Sequence, residues 1–342
     1  MYAGTKMIAV ITRETRLEGL KQRWGTASQA DFLLEAAFDH EVERRRKARS
    51  AKGLAVSEDD FSMIATSASE LTDHAAYEEE DETYRKSLRT LMQELDVEVP
   101  VREVDRRYLP NFDFDRCLAV VVIGQDGLVA NVAKYVGNLP VIGVNPDPAR
   151  YDGVLLPFQV SEARAAVLRT IKQKARIEKV TLAEVNTITG QRMLAFNDFF
   201  IGCRTHASAR YTLEAGSVRE PQSSSGVLIS TGSGATGWMS SVFNMAAGVS
   251  RFVTGKEVPR LTLARDDRKL MWAVREPFTS RHSSAEQVMG LVNDQEELVI
   301  GSQMPTNGVI FSDGIEDDYL EFNSGNIATF TVSQQRARLV VG

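Results

Sequence analysis

The chain has 342 residues, 43% of them hydrophobic, 25% charged and 8% aromatic. At roughly 150 residues per domain this length predicts two domains, and the apolar share excludes wholesale disorder. The net charge of −6 argues against a nucleic-acid partner, whose phosphate backbone calls for a basic face.

The first apolar run, Met7–Ile11, is short and β-branched and predicts a buried strand. Residues 13–98 are polar-rich. Within them Ala30 to Arg49 has the spacing of a helix, with Phe32, Leu33, Ala36 and Ala37 on its apolar face. The acidic run Glu78–Glu82 is expected to be a solvated helix face. Tyr84 to Leu95 continues at helical spacing. Val99–Val104 predicts a strand. Leu118–Ile123 is almost purely apolar, as in a strand covered on both faces. It ends at Gly124-Gln125-Asp126-Gly127, and a helix over Leu128–Tyr135 and a second buried strand, Val141–Val144, follow. Strand, loop, helix and strand in this order imply a parallel sheet with a right-handed crossover. Ser161 is the expected cap of a helix running to about Lys174, with Glu162 in its first turn.

Beyond about residue 175 the period changes. Alternating or β-branched runs recur at Lys179–Thr189, Arg192–Ile201, Ala209–Leu213, Val227–Ser230, Leu261–Leu263, Met271–Val274, Glu297–Ile300, Gly308–Phe311, Ala328–Val332 and Ala337–Val341. A helix is expected only at Ala235–Ala247. The boundaries are therefore residues 1–175 for an α/β domain with a helical insertion at about 13–98, and 176–342 for a β-rich, sandwich-like domain. Two cysteines, Cys117 and Cys203, make neither a disulfide framework nor a CxxC metal site, which fits a reducing, cytoplasmic location. No apolar stretch reaches the about 18 residues of a membrane span, and residues 1–10 lack a signal-peptide pattern. No membrane partner is expected.

Two glycine-rich loops each follow a buried strand and open a helix. The first, Gly124–Gly127, lies where open α/β sheets bind ligands, and the helix after it offers free N–H groups to phosphate. Its carboxylate, Asp126, repels phosphate. It is either a turn residue or a group with a task, such as taking a proton from an attacking hydroxyl. The second loop is Ser230-Thr231-Gly232-Ser233-Gly234-Ala235-Thr236-Gly237-Trp238. It satisfies G-x-G-x-x-G, but in a β-rich setting. It also has Walker A spacing, but Trp238 and Met239 replace the required Lys and Ser/Thr. What remains is a set of hydroxyls and backbone N–H groups suited to phosphate and ribose oxygens. Asn197-Asp198 interrupts an apolar strand, either facing outward or at a site. The four histidines, His40, His74, His206 and His282, have no metal-ligand spacing, so no metal cage is assigned.

A Gly-x-Asp-Gly loop, an Asn-acid pair, a Thr/Ser/Gly loop opening a helix and then Asp313-Gly314 form an order that resembles the NAD kinases, relatives of the diacylglycerol and sphingosine kinases. Gly143-Val144-Asn145-Pro146-Asp147-Pro148 with Gly153, and Ser224-Ser225-Gly226 with Thr231–Gly234 and Trp238, are most similar to the mitochondrial-type branch. The resemblance spans residues 118–335. It implies a Rossmann-like N-terminal α/β domain, a C-terminal β-sandwich, and ATP-dependent phosphorylation of the adenosine-ribose 2′-hydroxyl of NAD. ATP, Mg²⁺ and NAD are then the bound molecules, and a homodimer the expected assembly. Asp126 corresponds to the catalytic carboxylate. Gly124, Gly127, Asn197, Asp198, Thr231, Ser233, Gly234, Thr236 and Trp238 correspond to nucleotide-binding positions. There are departures. Gln125 and Leu128 stand where the family's first motif has Gly and Thr, Asp198 replaces Glu, and Gly237 replaces Ala. They motivate three other functions: a nucleotide-binding protein with weak or lost activity, a kinase for a lipid or other hydroxyl, and a dehydrogenase using the second loop.

Overall fold

The computed structural model describes residues 6–24, 40, 43, 44, 47 and 74–342. The helix expected over Ala30–Arg49 lies almost wholly outside them.

Strand β1 (Met7–Thr12) leads through α1 (Arg16–Trp24) and α2 (His74–Glu94) to β2 (Val101–Asp105). Then come β3 (Cys117–Ile123), α3 (Asp126–Tyr135) and β4 (Pro140–Asn145). These strands pair in parallel in the order β2-β1-β3-β4. Their apolar runs are explained by burial on both faces. Leu91, Leu95 and Ala166 pack on one face, and Val129, Val132 and Ala133 of α3 on the other. Short β5 (Phe158–Gln159) and α4 (Val160–Ile171) close the unit. Ser161 is not the cap of α4. Gln159 takes that position, and its N–H donates to the Glu162 carboxylate at 2.8 Å.

The β-rich half comprises β6 (Arg176–Thr187), β7 (Arg192–Ala195), β8 (Asp198–Cys203), β9 (Ala209–Ala215), β10 (Val218–Ser224), β11 (Val227–Ser230), α5 (Trp238–Thr254), β12 (Lys269–Val274), β13 (Met289–Asn293), β14 (Glu297–Ser302), β15 (Gly308–Ser312), β16 (Ile315–Glu321) and β17 (Ile327–Val341). Order β13-β12-β11-β8-β15-β16 makes an antiparallel sheet. Its inner face, carrying Phe199, Ile201 and Trp272, meets Tyr211, Ile300 and Phe330 of the other sheet in a sandwich core. The two halves share backbone pairing. Strand β17 pairs antiparallel with β14 in its first part and parallel with β4 at Arg338 and Leu339.

Several local expectations are corrected. The run Arg192–Ile201 is two strands, interrupted at Phe196 and Asn197. Ala328–Val332 and Ala337–Val341 are one strand with an irregularity between Val332 and Arg336. Leu261–Leu263 forms no strand; Leu263 instead packs beneath α5. Strand β10 has no apolar alternation because the residues it turns inward, Glu220, Gln222 and Ser224, are polar and hydrogen-bonded, while Pro221 is tolerated at the sheet edge. The acidic run is a solvated face only in part, with Glu78, Glu79 and Glu82 exposed. Glu80 and Asp81 are buried because α2 turns that side toward Arg13 and Thr15, which supply donors. Among the described residues no helix is long and apolar enough to cross a membrane.

Candidate functional site

The sheet changes direction of winding at β1. From there the chain crosses to β2 on one side, while β3 and β4 lie on the other. The carboxyl ends of β1 and β3 thus flank a crevice of the kind that receives ligands in open α/β sheets. Ile11 pairs with Val122, so the residues entering this crevice are Arg13 and Gly124. A Cβ on Gly124 would lie 3.5 Å from Arg13 Cδ.

Asp126 is the first residue of α3. Its carboxylate accepts the backbone N–H groups of Leu155 at 2.8 Å and Val154 at 3.1 Å. The loop after β4 is shaped for this. Gly143 leaves room for the Leu155 carbonyl, and Asn145 Nδ2 donates to the Tyr151 carbonyl at 2.9 Å. Gly153 has φ +66° and lies against Asn145. Gly127 is exposed, and a Cβ there would meet nothing within 4 Å. Leu128, in contrast, is buried in the core beneath α3.

The second loop and the Asn-Asp pair form one unit. Thr231 N donates to the Asn197 carbonyl at 2.8 Å, and Thr231 Oγ1 to the Phe196 carbonyl at 2.6 Å. The same hydroxyl accepts from Ser233 N and Gly234 N. Gly232 and Gly234 are demanded by packing. A Cβ on either would collide with the carbonyl of Ala264 or Asn197 respectively. The hydroxyl of Ser233 is buried with no hydrogen bond among the described residues. Thr236 is exposed at the end of a 3₁₀ turn, Gly234–Thr236.

Asp313 joins this unit to the first domain, a role no sequence pattern disclosed beyond the Asp-Gly pair. At φ +56° it caps the break between β7 and β8. Its carboxylate accepts from Asn197 N at 2.6 Å, Phe196 N at 3.1 Å and Asp198 N at 3.3 Å. Lys134, on the helix that Asp126 begins, reaches Asp313 at 3.3 Å and donates to Ser312 Oγ at 2.8 Å. Both charged side chains are buried. Burial and the nearby Asp313 charge push the Asp198 carboxyl up to about 7.

Trp238 packs on the outer face of the second sheet. It stacks on Phe200, with ring centroids 5.5 Å apart. These rings border a cavity of about 500 Å³ shared with Phe311, Tyr319, Arg204 and Arg275. The Arg275 guanidinium lies 5.2 Å from the Trp238 ring, and that of Arg204 3.9 Å from the Tyr319 ring. Neither arginine stood out in sequence, since a single cation just past the end of a strand carries no spacing signal. Among the described residues no group of three or more His, Cys, Asp or Glu side chains is placed to hold a metal ion.

No family model matches this sequence, and no curated protein matches it. Solved structures do match in fold. An NAD kinase from Archaeoglobus fulgidus in complex with ATP aligns with a TM-score of 0.52 and 16% identity, over 75% of this chain and 89% of that one. Yeast NADH kinase complexed with NADH aligns with a TM-score of 0.54 and 13% identity, over 100% of this chain and 85% of that one. The two-domain fold is shared with these kinases.

Proposed function

We propose that the protein is a nucleotide-binding phosphotransferase that moves the γ-phosphoryl group of ATP to the adenosine-ribose 2′-hydroxyl of NAD, giving NADP and ADP. The observation that carries this is the Lys134–Asp313 pair. It ties the helix begun by Asp126 to the unit made by Asn197, Asp198 and the Thr231–Thr236 loop, on a fold shared with an ATP-bound NAD kinase and an NADH-bound NADH kinase.

In this mechanism the 2′-hydroxyl oxygen bonds to the γ-phosphorus as the β–γ bridging bond breaks, and Asp126 takes the hydroxyl proton. Phosphoryl transfer asks the protein chiefly for position and electrostatic support. Gly127 and the start of α3 turn N–H groups toward the phosphates, and Gly124, whose own N–H donates to the Val144 carbonyl at 3.4 Å, supplies space there rather than a donor. Asn197, Asp198, Thr231, Ser233, Gly234 and Thr236 hold the dinucleotide, and the cavity beside Trp238 receives a planar ring. Magnesium binding by phosphates needs only one or two protein carboxylates, and Asp126 suits that requirement. When bound, the ion neutralises charge on the transferring phosphate.

The assembly is a homodimer in this proposal. Met245, Val249, Phe252 and Val253 recur at helical spacing along α5 and are exposed, Phe252 by 91%.

The test is NADP formation from NAD, ATP and Mg²⁺, read with an NADP-specific dehydrogenase. Asp126→Asn is expected to abolish turnover while largely sparing NAD binding by calorimetry. Zero turnover with ATP, GTP and polyphosphate would overturn the transfer step. A second function, nucleotide binding without transfer, is favoured by a specific contact: both Asp126 oxygens already accept backbone N–H groups. Tight NAD(H) or NADP(H) binding without turnover is its signature.

A further inference from the structure

Arg13 follows β1 directly and lies against Gly124, in the crevice between the carboxyl ends of β1 and β3. It is a buried cation with spare capacity. Nη2 donates to Glu80 Oε1 at 2.6 Å and to Tyr151 OH at 3.2 Å, and Nη1 to the Glu14 carbonyl at 3.1 Å. The third donor position, Nε, is buried and makes no hydrogen bond among the described residues.

Glu80 is equally unfinished. It is 2% exposed, and Oε1 accepts from Arg13 and from Tyr151 OH at 2.9 Å. Oε2 has no hydrogen bond among the described residues; its nearest cation is Arg16, at 3.6 Å. Burial raises the Glu80 carboxyl, but hydrogen bonds from Arg13 and Tyr151 and the charges of Arg13 and Arg16 outweigh it and hold the group low. A charged carboxylate thus stands in a crevice suited to an oxyanion. It is delivered by α2, in a segment that none of the nucleotide motifs covers.

A guanidinium binds carboxylate and phosphate oxygens with the same planar fork. A bound phosphate at the end of β3 and the Glu80 carboxylate would compete for one cation, and the two anions repel. We propose that Arg13 is a phosphate-binding residue of this crevice and that Glu80 is its built-in competitor, displaced when a nucleotide's phosphate chain enters. Tyr151 holds the competitor in place, so the loop that hydrogen-bonds Asp126 also sets how readily Glu80 leaves. This rests on the nucleotide-binding part of the proposed function and is independent of phosphoryl transfer.

The test is calorimetric titration of the full chain with inorganic tripolyphosphate. Glu80→Gln is expected to bind about fivefold or more tightly than the wild type, a typical coupling between linked sites. The double variant R13Q/E80Q should lose that gain. Tyr151→Phe keeps both charges while removing one donor to Glu80, and should strengthen binding in the same direction; it serves also if E80Q fails to fold. In the unsubstituted protein, saturating tripolyphosphate should speed amide hydrogen exchange in residues 78–82 of α2. Affinity unchanged within twofold in both E80Q and Y151F overturns the proposal, as does bound tripolyphosphate with no change in α2 exchange. Tighter binding in E80Q without NADP formation sustains the proposal and removes the kinase activity alone. No tripolyphosphate binding by any form overturns both the proposal and the nucleotide-binding function beneath it.

Discussion

The two glycine-rich loops follow the same plan in sequence, a buried strand, glycines and a helix, and they are built to opposite ends. In the Gly124–Gly127 loop Gly127 faces open space and Gly124 lies beside a guanidinium. In the Ser230–Trp238 loop Gly232 and Gly234 are filled positions, pressed against the carbonyls of Ala264 and Asn197. The first loop has room for a ligand. The second uses its glycines to seat the Thr231 hydroxyl at the break between β7 and β8. Glycine in a loop is therefore a statement about space, and only the surroundings tell whether a ligand or the protein fills it.

The largest effect should come from filling the second loop. Gly232→Val or Gly234→Val places side-chain atoms where a backbone carbonyl stands, and should cost more than about 3 kcal/mol or prevent folding, as read by urea denaturation. Asp313→Ala strips three backbone N–H groups of their acceptor and leaves Lys134 buried without its anion. Breaking a buried pair this way should cost roughly 3–5 kcal/mol, and should loosen both loops together, seen as faster amide exchange at residues 196–198 and in α3.

The next effect is a pH dependence. The Asp198 carboxyl is raised to about 7 from the ordinary aspartate value of 3.8, so in that range the folded state holds a proton there that the unfolded chain has released. This contribution is fully present below the unfolded value and is lost as pH rises through the folded one. Stability should fall by a few kcal/mol between about pH 4 and pH 7. Asp198→Asn should flatten that slope in denaturation curves taken across the range.

Breaking the proposed dimer face should change assembly and leave the fold intact. Phe252→Glu on exposed α5 should yield a monomer in light scattering, with thermal stability of the monomer altered by about 0.5 kcal/mol or less. The smallest effect belongs to the open loop. Gly127→Ala puts a better helix former in the first turn of α3 with no neighbour to strike, and should stabilise by about 0.4–1 kcal/mol. Tripolyphosphate affinity in the same variant shows whether that open space is used. A drop in affinity with a gain in stability would separate the first loop from the second most sharply.

Patterns confined to a few consecutive residues were legible in advance. The run Leu118–Ile123 became β3, the helix after Gly127 became α3, and the change of period near residue 175 matched the onset of β6. Asn197 and Asp198 precede the Thr231 loop in the order of motifs, and the hydrogen bonds that join the two are visible only in the structure. Within the acidic run only Glu80 and Asp81 depart from a solvated face, because composition treats each charge by its own hydration. Whether Glu80 meets water or Arg13 depends on a contact 67 residues away in sequence.

The sequence alone determined the alternation of strand and helix and the buried character of the central strands. Those follow from side-chain period and backbone sterics, which act over a few residues. The tertiary structure alone decided that Arg13, Glu80 and Tyr151 meet at the crevice, that Asp313 clamps Lys134 to the Asn197–Asp198 break, and that the two glycine loops differ in what fills them. These are pairings of isolated polar groups distant in the chain. Burial makes each one costly to leave unpaired, and only the folded packing determines which partner is at hand.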